Sequence, residues 1–253
     1  MASDKRLIIF LADLDHFRLG NRYSVPLGIG SITSYCRNIY GKAIDIFLFK
    51  NPNELMAAIM RQPPDILGCS FFMWNANLTL AIIKACKIIS HRMITVVGGP
   101  NVARNSDRYK ELLAICPELD IVVLDQGERS FGNILKRVFQ SGRQFEMIFA
   151  ESINGNAIRL GGNGPVARGK VEGQSIDINS FPSPYLMGYF DKFLQDGFLP
   201  TFETVRGCPY QCTFCGGGIN SFLPLGVKNE QTVYDEYQRL YVGFIPKDRI
   251  PAD

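Results

Sequence analysis

The sequence predicts an α/β protein built on a Rossmann-like, doubly wound parallel sheet of five strands. Three observations predict it: short β-branched apolar runs recur between Lys5 and Gln140, segments of helical period separate them, and polar or glycine-bearing turns follow the runs.

The elements follow in order. Lys5 to Ala12 is the first run, apolar as a strand buried on both faces must be. Leu27 to Tyr40 has helical period, and Ile44 to Phe49 is the second strand. Pro52 to Arg61 reads as helix, Asp65 to Phe72 as strand, Asn77 to Ser90 as helix and Met93 to Gly98 as strand. Asp107 to Ile115, the strand Asp120 to Asp125 and the helix Ser130 to Gln140 complete the series. Parallel neighbours need a crossover, and crossovers are right-handed, so helices cover both faces. A ligand of such a sheet lies at the carboxyl edge of its strands.

With 253 residues, 46% of them hydrophobic, the chain is long enough for one large domain or two modest ones. A net charge of +3 with no basic run gives no nucleic-acid face. Apolar runs such as Leu7 to Ala12 fall far short of the roughly 18 residues of a membrane helix. MASDKRLIIFLAD carries no secretory cleavage pattern, so the expected location is cytoplasmic. Of seven cysteines, Cys36, Cys69, Cys86 and Cys116 stand singly in apolar segments, as small buried hydrophobes do in a reducing compartment.

The carboxyl edge can be read loop by loop. DLDHFRLGNRYSVPLGIG follows the first strand, CSFFMWNAN the third, VVGGPNV the fourth and LDQGERS the fifth. Gly98, Gly99 and Gly127 let backbone approach a bulky ligand, and Ser70, Asn75 and Gln126 offer hydrogen bonds. Ordinary cap chemistry is the alternative for each glycine alone. No Gly-x-Gly-x-x-Gly follows a strand and no Gly-x4-Gly-Lys-Ser/Thr loop is present, which disfavours dinucleotide and nucleotide-phosphate cofactors.

Taken in order, PLGIGSITSYCR (Pro26 to Arg37), SFFMWN (Ser70 to Asn75), VVGGPNV (Val96 to Val102) and DQGERSFGNIL (Asp125 to Leu135) resemble the cobalamin-binding domain fused to one branch of radical S-adenosylmethionine enzymes. That resemblance implies cobalamin contacts at Leu27, Gly28, Ser70, Asn75, Gly98, Gly99, Gln126, Gly127 and Glu128. The best-known cobalamin motif, Asp-x-His-x-x-Gly, is not matched. Asp13, His16 and Gly20 give Asp-x-x-His-x-x-x-Gly, so no histidine of this chain is expected on cobalt, and capping or surface duty is the plain reading of His16.

From Gln144 the rhythm changes. QFEMIFAESINGNAIRLGG alternates about an Asn-Gly pair and reads as a β-hairpin. Residues 161 to 184 are rich in glycine, proline and small polar groups and look like a linker, and PSPYLMGYFDKFL resembles the bridge between the family's two domains. The expected division is 1–143, a hairpin and linker over 144–195, and the start of a second domain over 196–253. Phe198 to Val205 reads as the strand that leads into RGCPYQCTFCGGG.

That stretch spaces Cys208, Cys212 and Cys215 as Cys-x3-Cys-x2-Cys. Structural zinc wants four ligands, and the only histidines, His16 and His91, lie far away in sequence. Three thiolates can hold a four-iron four-sulfur cluster with one iron open. Zinc, or an electron-transfer cluster completed by another chain, are the alternatives. The motif resembles the radical S-adenosylmethionine signature, which implies that the cofactor's amino and carboxylate groups take the open iron and that its reduction releases a 5′-deoxyadenosyl radical. It also implies Phe214 and Gly217 beside S-adenosylmethionine, and an electron donor such as flavodoxin or ferredoxin.

The family's partial barrel of about six βα units needs on the order of 190 residues. Phe198 to Asp253 has room for one such unit, with Asn229 to Tyr241 as its helix and Asn229 as its cap. The chain is therefore expected to be an excised or truncated portion of a cobalamin-dependent radical enzyme, with methyl transfer to an unactivated carbon as the expected reaction. The alternative is a non-catalytic module that holds cobalamin, an iron-sulfur cluster or both. The substrate is not legible.

Overall fold

The structure is a computed structural model and describes residues 6–16, 23–102, 107–171, 177–208, 210 and 223–244. Strands β1 (Leu7–Ala12), β2 (Ile44–Phe49), β3 (Ile66–Ser70), β4 (Ile94–Gly98) and β5 (Ile121–Val123) are parallel and lie in the order β2-β1-β3-β4-β5. Helices α1 (Leu27–Tyr40), α2 (Pro52–Arg61), α3 (Ala76–Ile89), α4 (Arg108–Ile115) and α5 (Gly127–Gln140) connect and follow them. The strand pleat sorts the side chains. Leu7, Ile9 and Leu11 of β1 join a core with Ile29 and Cys36 of α1 and Phe131, Ile134 and Leu135 of α5. Phe10 and Ala12 join the opposite core with Leu55 and Ile59 of α2, Ile83 of α3 and Leu113 of α4. This is the doubly wound arrangement the sequence predicts. The chain reverses its direction of winding between β1 and β3, where such sheets open a crevice at their carboxyl ends.

The sheet has seven strands rather than five. QFEMIF forms α6 (Phe145–Ile148) instead of a strand, because Phe145 and Phe149 meet at helical spacing with ring centroids 4.7 Å apart and Ile148 and Phe149 are buried. The Asn-Gly pair is not a hairpin turn. Gly155, with φ of 77°, leads into β6 (Asn156–Arg159), which pairs antiparallel with β5 so that Asn156 faces Val123. The hairpin is instead β6 with β7 (Val166–Arg168), a strand inside the stretch that reads as linker. The three-residue β5 needs this cover, since it would otherwise be a short edge.

One polar node crosses the sheet's α3 side. Asp120, nine-tenths buried, accepts from Lys87 Nζ at 2.6 Å, the Thr95 amide at 2.8 Å and Thr95 Oγ1 at 3.0 Å, and so ties α3 to β4 and β5. Asp120→Ala leaves a buried ammonium and an unpaired amide, and is expected to cost about 3–5 kcal/mol in chemical denaturation. A loss below about 1 kcal/mol would remove the node's structural role.

Beyond the sheet, α7 (Asp191–Gln195) contributes Phe193 to a small cluster with Val25, Tyr185, Phe190 and Leu240. Residues 198–204 form no regular strand. Leu199 is bonded to the Tyr23 carbonyl and the Val25 amide, and holds this segment against the loop before α1. The strand begins later, as β8 (Val205–Cys208), and pairs antiparallel with β9 (Leu223–Val227), where the sequence reading had one strand and a helix. Helix α8 (Glu230–Gly243) follows, and Asn229 caps it by accepting from the Gln231 and Thr232 amides. Among the described residues no helix is long and apolar enough to cross a membrane.

Candidate functional site

A cavity of about 540 Å³ opens at the carboxyl ends of β1, β3, β4 and β5. Its floor is apolar, made by Leu11, Gly68, Val96 and Val123, and its walls are Ile29 and Ile32 of α1 and Phe131 of α5. Polar groups gather at the rim: Ser70, Gln126, Glu128, Glu203 and Arg206. An apolar slot with a few placed hydrogen-bonding groups is the usual form of a cofactor site.

Seven of the nine residues that the sequence assigns to cobalamin line this cavity: Gly28, Ser70, Gly98, Gly99, Gln126, Gly127 and Glu128. Their glycines do different things. A Cβ on Gly98 would meet Val123 Cβ at 2.8 Å, and one on Gly127 would meet Ile32 Cδ1 at 2.8 Å, so these two allow strand ends and helices to close on one another. Gly99 has φ of 129°, with the Phe71 backbone 3.1 Å from its would-be Cβ, so a side chain is excluded twice. Gly28 differs: a Cβ there meets nothing within 4 Å although the residue lines the cavity, so a side chain at this position would enter the open space.

Two assigned residues lie elsewhere. Asn75 is wholly buried, accepts from the Phe72 amide at 2.9 Å and donates to the Leu14 carbonyl at 3.1 Å, so its amide is used in clamping two loops. Leu27 packs on the cluster around Val25, Tyr185 and Phe190. His16 is not in the lining, and its Nε2 lies 3.1 Å from the Trp74 carbonyl oxygen.

Sequence reading missed Arg206 and Glu203. Arg206, on β8, reaches back to the first βα layer: Nη1 donates to Gln126 Oε1 at 2.9 Å and Nη2 to Glu128 Oε1 at 2.8 Å. Its Nε and Nη2 also donate to Glu203 at 2.9 and 2.6 Å, and the guanidinium lies 5.6 Å from the centre of the Phe181 ring. Burial works against the charge, but the hydrogen bonds and charges of Glu203 and Glu128 outweigh it and hold the pKa above the ordinary guanidinium value. The only local signal was the position of Arg206 two residues before Cys208.

Cys208 is exposed at the end of β8. Cys212, Cys215, Phe214 and Gly217 lie outside the described residues. Among the described residues no group of three or more His, Cys, Asp and Glu side chains is placed to hold a metal ion.

Comparison with known proteins places this geometry. Residues 22–135, which carry the walls and most of the rim, match the B12 binding domain family. This stretch is similar to B12-binding domains. The match runs from just before α1 into α5 and so encloses all seven cavity-lining residues that the sequence assigned.

The chain is also 26% identical over 227 residues to the cobalamin-dependent radical SAM methyltransferase TokK of Streptomyces tokunonensis, which covers 85% of this chain and 31% of that protein. It is 27% identical over 201 residues to a 2-(S-pantetheinyl)-carbapenam-3-carboxylate methyltransferase of Streptantibioticus cattleyicolor, covering 76% of this chain and 28% of that one. Among solved structures, the cobalamin-dependent S-adenosylmethionine radical enzyme OxsB, with aqua-cobalamin and S-adenosylmethionine bound, superposes with a TM-score of 0.69 at 19% identity over 96% of this chain and 33% of its own. That likeness establishes the fold. The chain thus spans about a third of these relatives, and over that part it fits the cobalamin-binding radical S-adenosylmethionine family expected from the sequence.

Proposed function

We propose that the chain is the cofactor-holding portion of a cobalamin-dependent radical S-adenosylmethionine enzyme that transfers a methyl group to an unactivated carbon. One observation carries the reading: in a B12-binding domain, the rim of the carboxyl-edge cavity is completed by Arg206, two residues before the first cysteine of the Cys-x3-Cys-x2-Cys run. The two halves of the chemistry therefore meet at one edge.

The residues present suit cobalamin. The apolar floor accepts an apolar part of the cofactor, and the absent side chain of Gly28 leaves it room. Ser70 and Gln126 offer hydrogen bonds to the amide fringe of a corrin, and no histidine of this chain is assigned to cobalt. Cys208, Cys212 and Cys215 would hold a four-iron four-sulfur cluster with one iron free for the amino and carboxylate groups of S-adenosylmethionine, with Phe214 and Gly217 beside that cofactor. When loaded, the cluster supplies one electron to S-adenosylmethionine and cobalamin supplies the methyl group. The chain itself binds, orients and shields these groups. Flavodoxin or ferredoxin is the proposed electron donor, and the chain is proposed to divide near residues 180–195.

A module that binds the cofactors without turnover is the second reading. Titration with hydroxocobalamin tests what both readings share. A shift in its visible spectrum and co-elution on a sizing column are expected, and neither appearing would overturn the assignment. Anaerobic reconstitution with iron, sulfide and S-adenosylmethionine then separates them, since 5′-deoxyadenosine forms after reduction only in the first.

A further inference from the structure

We propose that Arg206 is a positioning residue that docks the cysteine-bearing hairpin onto the rim of the B12-binding domain and so sets where the cluster stands relative to bound cobalamin; its second half rests on the function proposed above.

The geometry is that of a latch. Arg206 uses its planar fork on three acceptors from two parts of the chain, with Glu203 gripping it from its own side and Gln126 and Glu128 from the start of α5, 80 and 78 residues away. Glu128 is buried and sits in the first turn of α5, where the helix dipole favours a carboxylate, so the receiving side is fixed before the arginine arrives. The base of the hairpin is also tied by Asn179, which donates to the Val227 carbonyl and accepts from the Asn229 amide, one register position from Arg206. Beyond both ties, on the side of Cys208, the β8–β9 ladder shifts register between Arg206 and Cys208, at Gly207 with φ of 102°. The strand thus bends immediately after its anchor. Past the bend the ladder holds Cys208 through its pairing with Leu223, and the Arg206 anchor sets where that short piece of ladder points.

Lysine is a poor substitute, because a point charge cannot reach Gln126, Glu128 and Glu203 together. A purely structural arginine would behave differently, lowering the stability of the whole chain without loosening one hairpin.

Amide hydrogen exchange of the unliganded chain decides the docking. Arg206→Ala is expected to speed exchange of residues 205–208 and 223–227 at least tenfold, with β3, β4 and α3 unchanged, and Arg206→Lys to recover less than a third of the lost protection. Unchanged exchange in both variants would overturn the proposal. If Arg206→Ala loosens the whole chain, Glu128→Gln, which keeps a hydrogen bond and loses the charge, is read instead and is expected to give a smaller hairpin-only effect; no hairpin-specific change there overturns it as well. The positioning claim is read separately, in chain reconstituted with cluster and cobalamin. The relaxation enhancement of the cob(II)alamin electron-spin signal by the reduced cluster is expected to change at least twofold in Arg206→Lys at equal cofactor content, and an identical signal would overturn that half. Failure of the wild-type chain to bind hydroxocobalamin would sink the cobalamin reading and the positioning half with it, while the exchange result still decides the latch.

Discussion

Replacing Gly28 by leucine is expected to abolish hydroxocobalamin retention while the chain stays folded. Gly28 is the second residue of α1, outside the positive-φ glycines, so the backbone there accepts any side chain. A Cβ at this position meets nothing within 4 Å and the residue borders the cavity, so the branched carbons of leucine have open space to occupy at its margin. The local helix gains, since leucine is favoured over glycine in a helix by roughly 0.5–1 kcal/mol. Unfolding by urea should therefore leave the midpoint equal or slightly higher, while the Kd for hydroxocobalamin rises by about two orders of magnitude. Gly28→Ala, with one methyl group, should fall between. Wild-type affinity in Gly28→Leu would mean that the cofactor does not use this cavity.

Cys208→Ala is expected to remove the iron-sulfur chromophore, with reconstituted iron falling to less than about a tenth of wild type. Thiolates, not thiols, bind iron, and the chain divides its cysteines accordingly. Burial pushes the Cys36 and Cys69 thiols well above their usual range, the latter helped by Cys86 and Asp13, and it moves Cys86 and Cys116 up to about 11. In these four, burial disfavours the thiolate that iron would need, and they act as packing groups. Cys208 is exposed at a strand end, and removing it leaves only two of the three clustered thiols. Cys116→Ala serves as the control and is expected to cost stability but no iron. A chromophore that survives in Cys208→Ala would assign the site to other ligands.

The parallel sheet and its helices were legible because the strands are short, mostly apolar runs, and the helices repeat their apolar residues at a longer spacing. Helix α1 and helix α2 begin and end where the sequence places them. What the sequence hid was set at longer range. β6 and β7 are short and mixed in polarity, and exist as strands because β5 offers β6 an edge and β6 in turn offers one to β7. Asn75 looks like a ligand donor from its type and place, and only the fold reveals that Phe72 and Leu14 already occupy its amide. Arg206 reads as a flank of the cysteine motif, and its distant partners Gln126 and Glu128 lie at the start of α5, which no local pattern connects to it.

The β6–β7 pair also has a consequence of parity. β6 descends from the edge where Asn156 faces Val123, and β7 climbs back, so that the Lys170 carbonyl meets the Gly155 amide at the level from which the excursion began. An even number of added strands returns the chain to the side of the sheet that bears Ser70, Gly98 and Gln126, whereas a single strand would have left it on the opposite side. β7 therefore ends at the level of the cavity to which Arg206 later returns, and an insertion or deletion that changed that count is expected to take Arg206 away from Gln126 and Glu128 without altering any of the three.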